Sequence, residues 1–145
     1  IYEVPDERVP LEKEIEVIES YIELQKLRLE ANTDIELNKD LEKEQAEIAP
    51  LLFFPLIENS FKHGMDGEAD HNFIHIDLTN TQRELRFSIK NSKVLPPANH
   101  TTKYGGVGLE NVKQRLKLIY GHNGEISITD NSNTFEIEIK ILWND

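Results

Sequence analysis

Hydrophobic residues recur along this chain at two spacings, and each spacing predicts one kind of secondary structure. Recurrence every three or four residues predicts three helices, over 10–29, 51–64 and 109–120. Alternation at every second residue predicts five strands, at 35–41, 73–78, 85–89, 126–128 and 135–141. Polar turns at 80–83 and 130–133 join the last four strands into two consecutive pairs. We therefore expect two antiparallel hairpins among the helices.

The predicted helix over 10–29 carries a broad apolar face. Pro10 suits a first-turn position. Apolar residues follow at helical spacing, at Leu11, Ile15, Ile18, Ile22 and Leu29, and the stripe is widened by Tyr21, Leu24 and Leu27. At about 1.5 Å per residue such a helix is about 30 Å long, and its apolar face must be covered. Two coverings fit the pattern, a partner helix or the helix's own domain.

Length and composition fit one globular domain. The chain has 145 residues, of which 38% are hydrophobic and 30% charged, and a chain of this size can bury about 70% of its unfolded surface. No apolar run approaches the roughly 20 residues of a membrane-spanning helix, so we expect a soluble segment. It opens on Ile1 without an initiator Met, which suggests a piece of a longer protein. The absence of cysteine excludes disulfides, thiolate nucleophiles and Cys-based zinc sites.

The distribution of charge limits the kinds of ligand and partner that this chain is expected to bind. A net charge of −11 argues against nucleic-acid binding, which needs clustered Lys and Arg. Acidic residues concentrate in the first half, at Glu12, Glu14, Glu16, Glu19, Glu42, Glu44 and Glu47. Basic residues gather beside a glycine cluster, at Lys113, Arg115 and Lys117. An anionic ligand is therefore expected in the second half.

The second predicted helix carries a polar group of residues that suits a nucleotide site. Helical spacing puts Glu58 beside Lys62 and Asn59 beside His63, while Phe61 points inward. An amide oxygen can bind Mg²⁺, a carboxylate can orient or deprotonate a nucleophile, and a lysine can contact phosphate. The alternative is an ordinary Glu58–Lys62 ion pair with a histidine near the end of the helix dipole.

A long polar stretch and a glycine cluster precede the third predicted helix. Residues 92–105 contain two prolines and no periodicity, which is typical of a functional lid or a mobile segment. Gly105, Gly106 and Gly108 then lead into the helix and offer open backbone amides to phosphate. Neither a Walker loop nor a dinucleotide fingerprint fits this cluster. Alternatively, the glycines only permit a tight turn from loop to helix.

Taken together and in this order, these motifs resemble those of the LytS-like sensor histidine kinases. Residues 50–64, PLLFFPLIENSFKHG, resemble the N box of that family. Residues 106–116, GVGLENVKQRL, followed by Tyr120 and Gly121, look like its second glycine-rich box and the helix after it. The segment 21–26, YIELQK, is similar to the second helix of the family's dimerisation and phosphotransfer region. The resemblance covers nearly the whole chain.

The resemblance implies the Bergerat ATP-binding fold, an α+β two-layer sandwich in which helices back a mixed sheet, preceded by one N-terminal amphipathic helix. It implies that residues 1–31 end the helical dimerisation region and that 35–145 form the catalytic domain. By resemblance, Asn59 would bind Mg²⁺ and Glu58 would be the catalytic acid/base or orienting carboxylate. The remaining ATP-binding positions would be Lys62, His63, Asn91, Gly106, Gly108, Leu109 and Asn111.

The chain departs from the family pattern in two places. Where the first glycine box usually has Asp-Asn-Gly, this chain has Asn91-Ser92-Lys93, so a neutral amide oxygen would face the adenine amino group. A neutral hydrogen bond is roughly half as strong as a charge-assisted one. None of the five histidines, His63, His71, His75, His100 and His122, lies on the helix over 10–29. The phosphoacceptor must then lie upstream.

The remaining histidines suggest no strong site. His71 and His75 flank the first hairpin strand, but no further metal ligands follow at suitable spacing. His100 falls in the predicted lid and His122 follows a helix-ending glycine, so both are expected in solvent.

Three functions remain open on the sequence. The first is a histidine kinase catalytic domain that uses ATP and Mg²⁺. Its parent would be a homodimeric, membrane-anchored sensor of the inner membrane with this domain in the cytoplasm, and it would signal to a response regulator. The second is another ATPase of the same superfamily, which would not need the helix over 10–29. The third is a regulatory module without nucleotide, which the Asn91-Ser92-Lys93 segment favours.

Overall fold

A computed structural model describes residues 7–29, 33–64, 72–93 and 106–143. The helices of this part of the chain are α1 (Leu11–Lys26), α2 (Phe54–Gly64) and α3 (Gly106–Tyr120), and a short 3-10 helix follows at Gly121–Asn123. The strands are β1 (Val9–Pro10), β2 (Thr33–Leu41), β3 (Glu47–Ile48), β4 (Asn72–Asn80), β5 (Glu84–Ser92), β6 (Gly124–Asp130) and β7 (Thr134–Leu142).

Five of the strands form one mixed sheet in the order β2-β4-β5-β7-β6. β2 pairs with β4 in parallel, and the other three pairings are antiparallel. β4 with β5 and β6 with β7 are the two hairpins that the alternation predicted, so both are confirmed. The pairing of β1 with β3 in a separate two-stranded ribbon was not predicted, because two residues are too few to show a period.

The two faces of the five-stranded sheet differ in polarity. The three central strands bury every second residue on the inner face, at Ile74, Ile76, Leu78, Leu85, Phe87, Ile89, Phe135, Ile137, Ile139 and Ile141. These residues form one core with apolar residues of all three helices. On the outer face Arg86 contacts Glu84 and Glu138, and all three side chains are partly exposed. The helices therefore back one face of the sheet, as the two-layer prediction requires.

α1 packs on its own domain. Leu11, Ile15, Ile18 and Ile22 are buried in the shared core. The helix ends at Lys26 and not at residue 29, and Pro10 precedes it as the N-cap residue and does not lie in its first turn. Leu24 and Leu27 do not widen the buried stripe, because their exposed fractions are 63% and 84%. Of the three residues expected to widen it, Tyr21 alone packs inward, edge-on to Phe54 and Phe61.

α2 begins at Phe54, three residues later than the pattern predicted. The cause is the turn at Pro50 and Leu51, where Leu51 has a φ of +54° and so cannot continue a right-handed helix. The Leu51 amide donates to the Glu14 carboxylate at 3.0 Å. Arg115 of α3 donates to the Pro50 carbonyl oxygen at 2.9 Å and to that of Leu51 at 3.2 Å. Side chains distant in sequence thus fix the turn.

α3 begins earlier than predicted and ends where predicted. It starts at Gly106, so Gly106 and Gly108 lie within its first turn. It ends at Tyr120, and Gly121 then adopts a φ of +58°, which confirms that this glycine stops the helix. His122 follows in the short 3-10 helix and is exposed, as expected.

Directly after β7, Trp143 packs against the turn between β4 and β5. The backbone amide of Trp143 donates to the Arg83 carbonyl at 2.8 Å, and its indole Nε1 donates to the Thr81 carbonyl at 3.0 Å. The Lys43 ammonium lies 5.1 Å from the centre of the indole ring. Among the helices that the structure describes, none combines the length and the apolar character needed to cross a membrane.

Candidate functional site

Two of the predicted site residues, Asn59 and Gly108, meet where α2 packs against α3. Asn59 is half-buried on α2, and Gly108 lies against it in the first turn of α3. A Cβ added to Gly108 would come within 3.1 Å of the Asn59 Nδ2 atom. Only a glycine gives Asn59 its present position without displacement. The structure thus brings the two predicted motifs into contact, although about 50 residues separate them.

Asn91 connects the end of β5 to the same helix. Its side chain is only 1% exposed, and its amide oxygen accepts a hydrogen bond from the Ser60 hydroxyl at 3.2 Å. Its Nδ2 donates to the Ser92 carbonyl at 2.9 Å. An amide oxygen has two lone pairs, so Asn91 keeps one acceptor position for a ligand. Sequence reasoning did not select Ser60, because a serine on an apolar helix carries no signal of a partner 31 residues away.

Glu58 and Lys62 are both exposed on α2. Among the described contacts they do not form the ion pair that was the alternative interpretation of their spacing. Burial raises the pKa of the Tyr21 phenol, and the negative charge of Glu58 raises that pKa further. Tyr21 and Glu58 therefore interact electrostatically. The Tyr21 phenol therefore stays neutral at neutral pH.

The other predicted positions have different surroundings. Leu109 is 6% exposed and belongs to the core, whereas Asn111 is exposed on α3. Gly106 lies in α3 and His63 in α2, but the surroundings of these two residues fall outside the described part of the structure. The same holds for His71, His100 and most of the predicted lid, at 94–105.

A buried carboxamide lies near this end of the inner face. Asn72 is 3% exposed, and among the described residues its Oδ1 atom has no hydrogen-bond partner. It begins β4, two residues before Ile74, which pairs with Asn91. Buried carbonyl oxygens are normally satisfied, so a donor from outside the described residues is expected here. Sequence reasoning missed Asn72, because an asparagine next to a strand also suits a turn.

A separate cluster on the outer face involves His75. Its Nε2 lies 3.0 Å from a carboxylate oxygen of Asp34 and 3.8 Å from one of Glu36. The three ligand atoms lie within 4.8 Å of one another. The register of β2 and β4 produces this arrangement, because Glu36 stands opposite His75. His75 therefore meets carboxylates of β2, while its suggested metal partner His71 lies outside the described ranges.

The residues at the α2–α3 junction suit ATP and Mg²⁺ chemically. Mg²⁺ prefers oxygen ligands, and Asn59 supplies an amide oxygen one residue from the Glu58 carboxylate. The first turn of α3 presents backbone amides and the positive end of the helix dipole, which favour phosphate. Asn91, which accepts from Ser60 of α2, adds a buried neutral amide oxygen.

Comparison with known proteins finds sensor kinases among the relatives of this chain. The sensor histidine kinase BtsS of Escherichia coli (strain K12) is 25% identical over 143 residues, which are 97% of this chain and 25% of that protein. The sensor protein LytS of Oceanobacillus iheyensis is 27% identical over 132 residues, which are 83% of this chain and 23% of that protein. The chain spans about a quarter of the length of these relatives. No protein-family model matches it.

The solved structures agree on the fold. The catalytic domain of the histidine kinase ThkA superposes with a TM-score of 0.64 at 18% identity, covering 94% of this chain and 96% of that one. ThkA in complex with the response regulator protein TrrA gives a TM-score of 0.54 at 17% identity, over 94% of this chain and 41% of that one. The fold is that of histidine kinase catalytic domains, and the resemblance to LytS-like sensor kinases is confirmed.

Proposed function

We propose that this homologue of the LytS-like sensor histidine kinases is the ATP-binding catalytic domain of a two-component sensor, which transfers the γ-phosphoryl group of ATP to a histidine upstream of these residues. The contact between Asn59 of α2 and Gly108 of α3 carries the proposal. It joins the two motifs that a nucleotide site of this kind needs, one for the metal and one for the phosphates. The catalytic-domain fold and the kinase relatives support it.

The proposed roles follow the chemistry of each group. Asn59 holds Mg²⁺ through its amide oxygen, and the exposed Glu58 orients or deprotonates the attacking histidine. Bound Mg²⁺ would neutralise charge on the phosphates. The amides of Gly106 and Gly108 hold the phosphate chain, while Asn91 accepts a hydrogen bond from the adenine amino group. Lys62 and His63 contact phosphate or ribose, and Leu109 and Asn111 belong to the helix that anchors the lid.

The arrangement of the parent protein is part of the same proposal. Residues 1–31 would end its dimerisation and phosphotransfer region, and 35–145 would be its catalytic domain. The parent would be a homodimer anchored in the inner membrane, with this domain in the cytoplasm. Its partner would be a response regulator, and the complex of ThkA with TrrA supports that assignment. The net charge of −11 supports a partner other than nucleic acid.

Calorimetric titration of a non-hydrolysable ATP analogue, with Mg²⁺ and with EDTA, tests the proposal. We expect the wild-type chain to bind more tightly with Mg²⁺, and the Asn59→Ala variant to lose this difference. Asn38→Ala is the matched control, because Asn38 is an exposed asparagine whose Nδ2 donates to the Asp77 carboxylate at 3.1 Å on the outer face. That variant should bind like wild type.

Absence of binding to a folded wild-type chain would overturn the proposal. The alternative would then be a regulatory module that works without nucleotide. One observation favours it, since the buried Asn91 brings no charge to the position where the family has aspartate. Tight binding to wild type together with full binding to Asn59→Ala would keep the nucleotide site but reject the metal role of Asn59.

A further inference from the structure

We propose that Arg115 is a positioning residue, which sets the place of Asn59 by holding the turn from which α2 starts. The inference rests on the proposed function and adds a residue to it. Arg115 is not expected to touch nucleotide or metal. It acts through the backbone of Pro50 and Leu51, to which both of its terminal nitrogens donate, at 2.9 and 3.2 Å.

The turn depends on side chains from other elements. Leu51 has a φ of +54°, which a non-glycine residue keeps only where its surroundings enforce it. Its amide is held by Glu14 of α1 at 3.0 Å and its carbonyl by Arg115 of α3. The amide of Ala49 donates to the Tyr120 hydroxyl at 3.0 Å. Helical hydrogen bonds begin directly afterwards, with the Leu56 and Ile57 amides donating to the Phe53 carbonyl.

The guanidinium of arginine can hold this turn more firmly than the ammonium of lysine. A planar guanidinium donates to two carbonyl oxygens from one fixed orientation, while a lysine acts as a point charge on a flexible stem. The two carbonyls belong to successive residues, so together they define the direction of the turn. A lysine at this position would restrain the turn in part.

Arg115 and Gly108 lie on the same side of α3. They are seven residues apart, which is about two helical turns or about 10 Å. Gly108 touches the Asn59 side chain near the middle of α2, and Arg115 holds the backbone just before α2 begins. The two contacts fix both the position and the tilt of α2 against α3. With the Arg115 contact removed, the start of α2 is held less firmly against α3, and the helix carries Asn59 with it away from the position that its proposed metal role requires.

The test compares nucleotide affinity with Mg²⁺ and with EDTA in wild type, Arg115→Ala, Arg115→Lys and the control Arg86→Ala. Arg86 is an outer-face arginine about half exposed, paired with Glu84 at 2.6 Å. A misplacement of about 1 Å can cost about 100-fold in function. We therefore expect Arg115→Ala to lose at least about tenfold of the Mg²⁺-dependent gain, while its affinity in EDTA stays within about twofold of wild type.

Arg115→Lys should recover part of the gain, and Arg86→Ala should keep all of it. A merely structural role would lower both affinities, or the fraction of active protein, by the same factor. If Arg115→Ala does not fold, as judged by circular dichroism, the Arg115→Lys variant decides the question by the same ratio. An unchanged ratio in a folded Arg115 variant would overturn the positioning role alone. Failure of wild type to bind would overturn this role together with the proposed function.

Discussion

The inner and outer faces of the sheet use neighbouring residues of the same strands for different purposes. On the inner face the ring of Phe87 stacks on Phe53, with 4.3 Å between ring centres and 5° between their planes. One residue earlier, on the outer face, Arg86 reaches the Glu84 carboxylate in solvent. Buried apolar contact contributes far more to stability than an exposed ion pair. Stability should therefore reside almost entirely on the inner face.

The sharpest test of this contrast replaces two adjacent residues of β5. Phe87→Ala should lower the free energy of unfolding by about 3–5 kcal/mol, because it removes a fully buried ring and leaves a cavity. Arg86→Ala should leave it nearly unchanged. Urea denaturation followed by circular dichroism measures both. Equal costs for the two variants would contradict the division between faces.

A smaller effect is expected from one polar contact within the helical layer. Tyr120→Phe leaves the buried Ala49 amide without its 3.0 Å acceptor, which should cost about 1–3 kcal/mol. Glu138→Gln weakens an exposed ion pair with Arg86 and should leave the free energy of unfolding nearly unchanged. A larger cost for Glu138→Gln would reverse the expected order.

The stability of the Tyr120→Phe variant should also depend on alkaline pH differently from that of wild type. Burial raises the pKa of Tyr120, so the phenol stays neutral in the folded protein after it begins to ionise in the unfolded chain. This contribution to stability is complete below about pH 10 and is lost as pH rises from there through the folded pKa. Tyr120→Phe should therefore lose less stability than wild type between about pH 9 and pH 11. An identical loss in both proteins would show that burial of this phenol does not set the alkaline limit of stability.

Much of the sheet follows from sequence because its determinants are local. The β4–β5 and β6–β7 hairpins show their alternation within a few residues, and both were predicted. The parallel pairing of β2 with β4 joins positions 39 residues apart, as in Ile35 with Ile74. No local sequence pattern predicts such a pairing. The same limit explains the late start of α2, which depends on Leu51, Glu14 and Arg115.

The candidate site, too, was predictable only in part, because its motifs are local in sequence and its contacts are not. The motifs around Asn59 and Gly108 were visible in sequence, but their contact was not. Glu14 is one of several glutamates in an acidic stretch, yet it is 7% exposed while Glu12 and Glu16 are exposed. Only its partner, the Leu51 amide, distinguishes it, and that partner lies 37 residues away. Arg115 likewise looked like part of a basic patch for an anion.

A substitution with little expected effect on stability separates the fold from the site. Gly108→Ala places a methyl group within 3.1 Å of the Asn59 amide, so Asn59 must shift. We expect about a tenfold loss of Mg²⁺-dependent ATP affinity and a change in the free energy of unfolding within about 1 kcal/mol, because alanine favours helix. Titration calorimetry and urea denaturation measure the two effects.

Gly121→Ala is the matched control with the opposite pattern. Nothing lies within 4 Å of its added Cβ, but its φ of +58° strains an alanine, which should cost about 1–2 kcal/mol of stability. ATP affinity should stay unchanged. If both glycine variants changed affinity alike, the Asn59–Gly108 contact would not be specific to the site.

Trp143, the only tryptophan in the chain, gives the fold a built-in optical probe. Its indole hydrogen bond to Thr81 fixes it at the β4–β5 turn. β5 then runs from Glu84 to Ser92, and Asn91 lies one residue before its far end, seven residues after Glu84. Seven residues of strand span about 23 Å. A nucleotide bound at Asn91, as proposed, would lie too far from the indole to alter its surroundings, whereas opening of the sheet exposes the ring to water. Tryptophan emission should thus report unfolding alone, so one sample can yield stability and, by calorimetry, affinity without either signal contaminating the other.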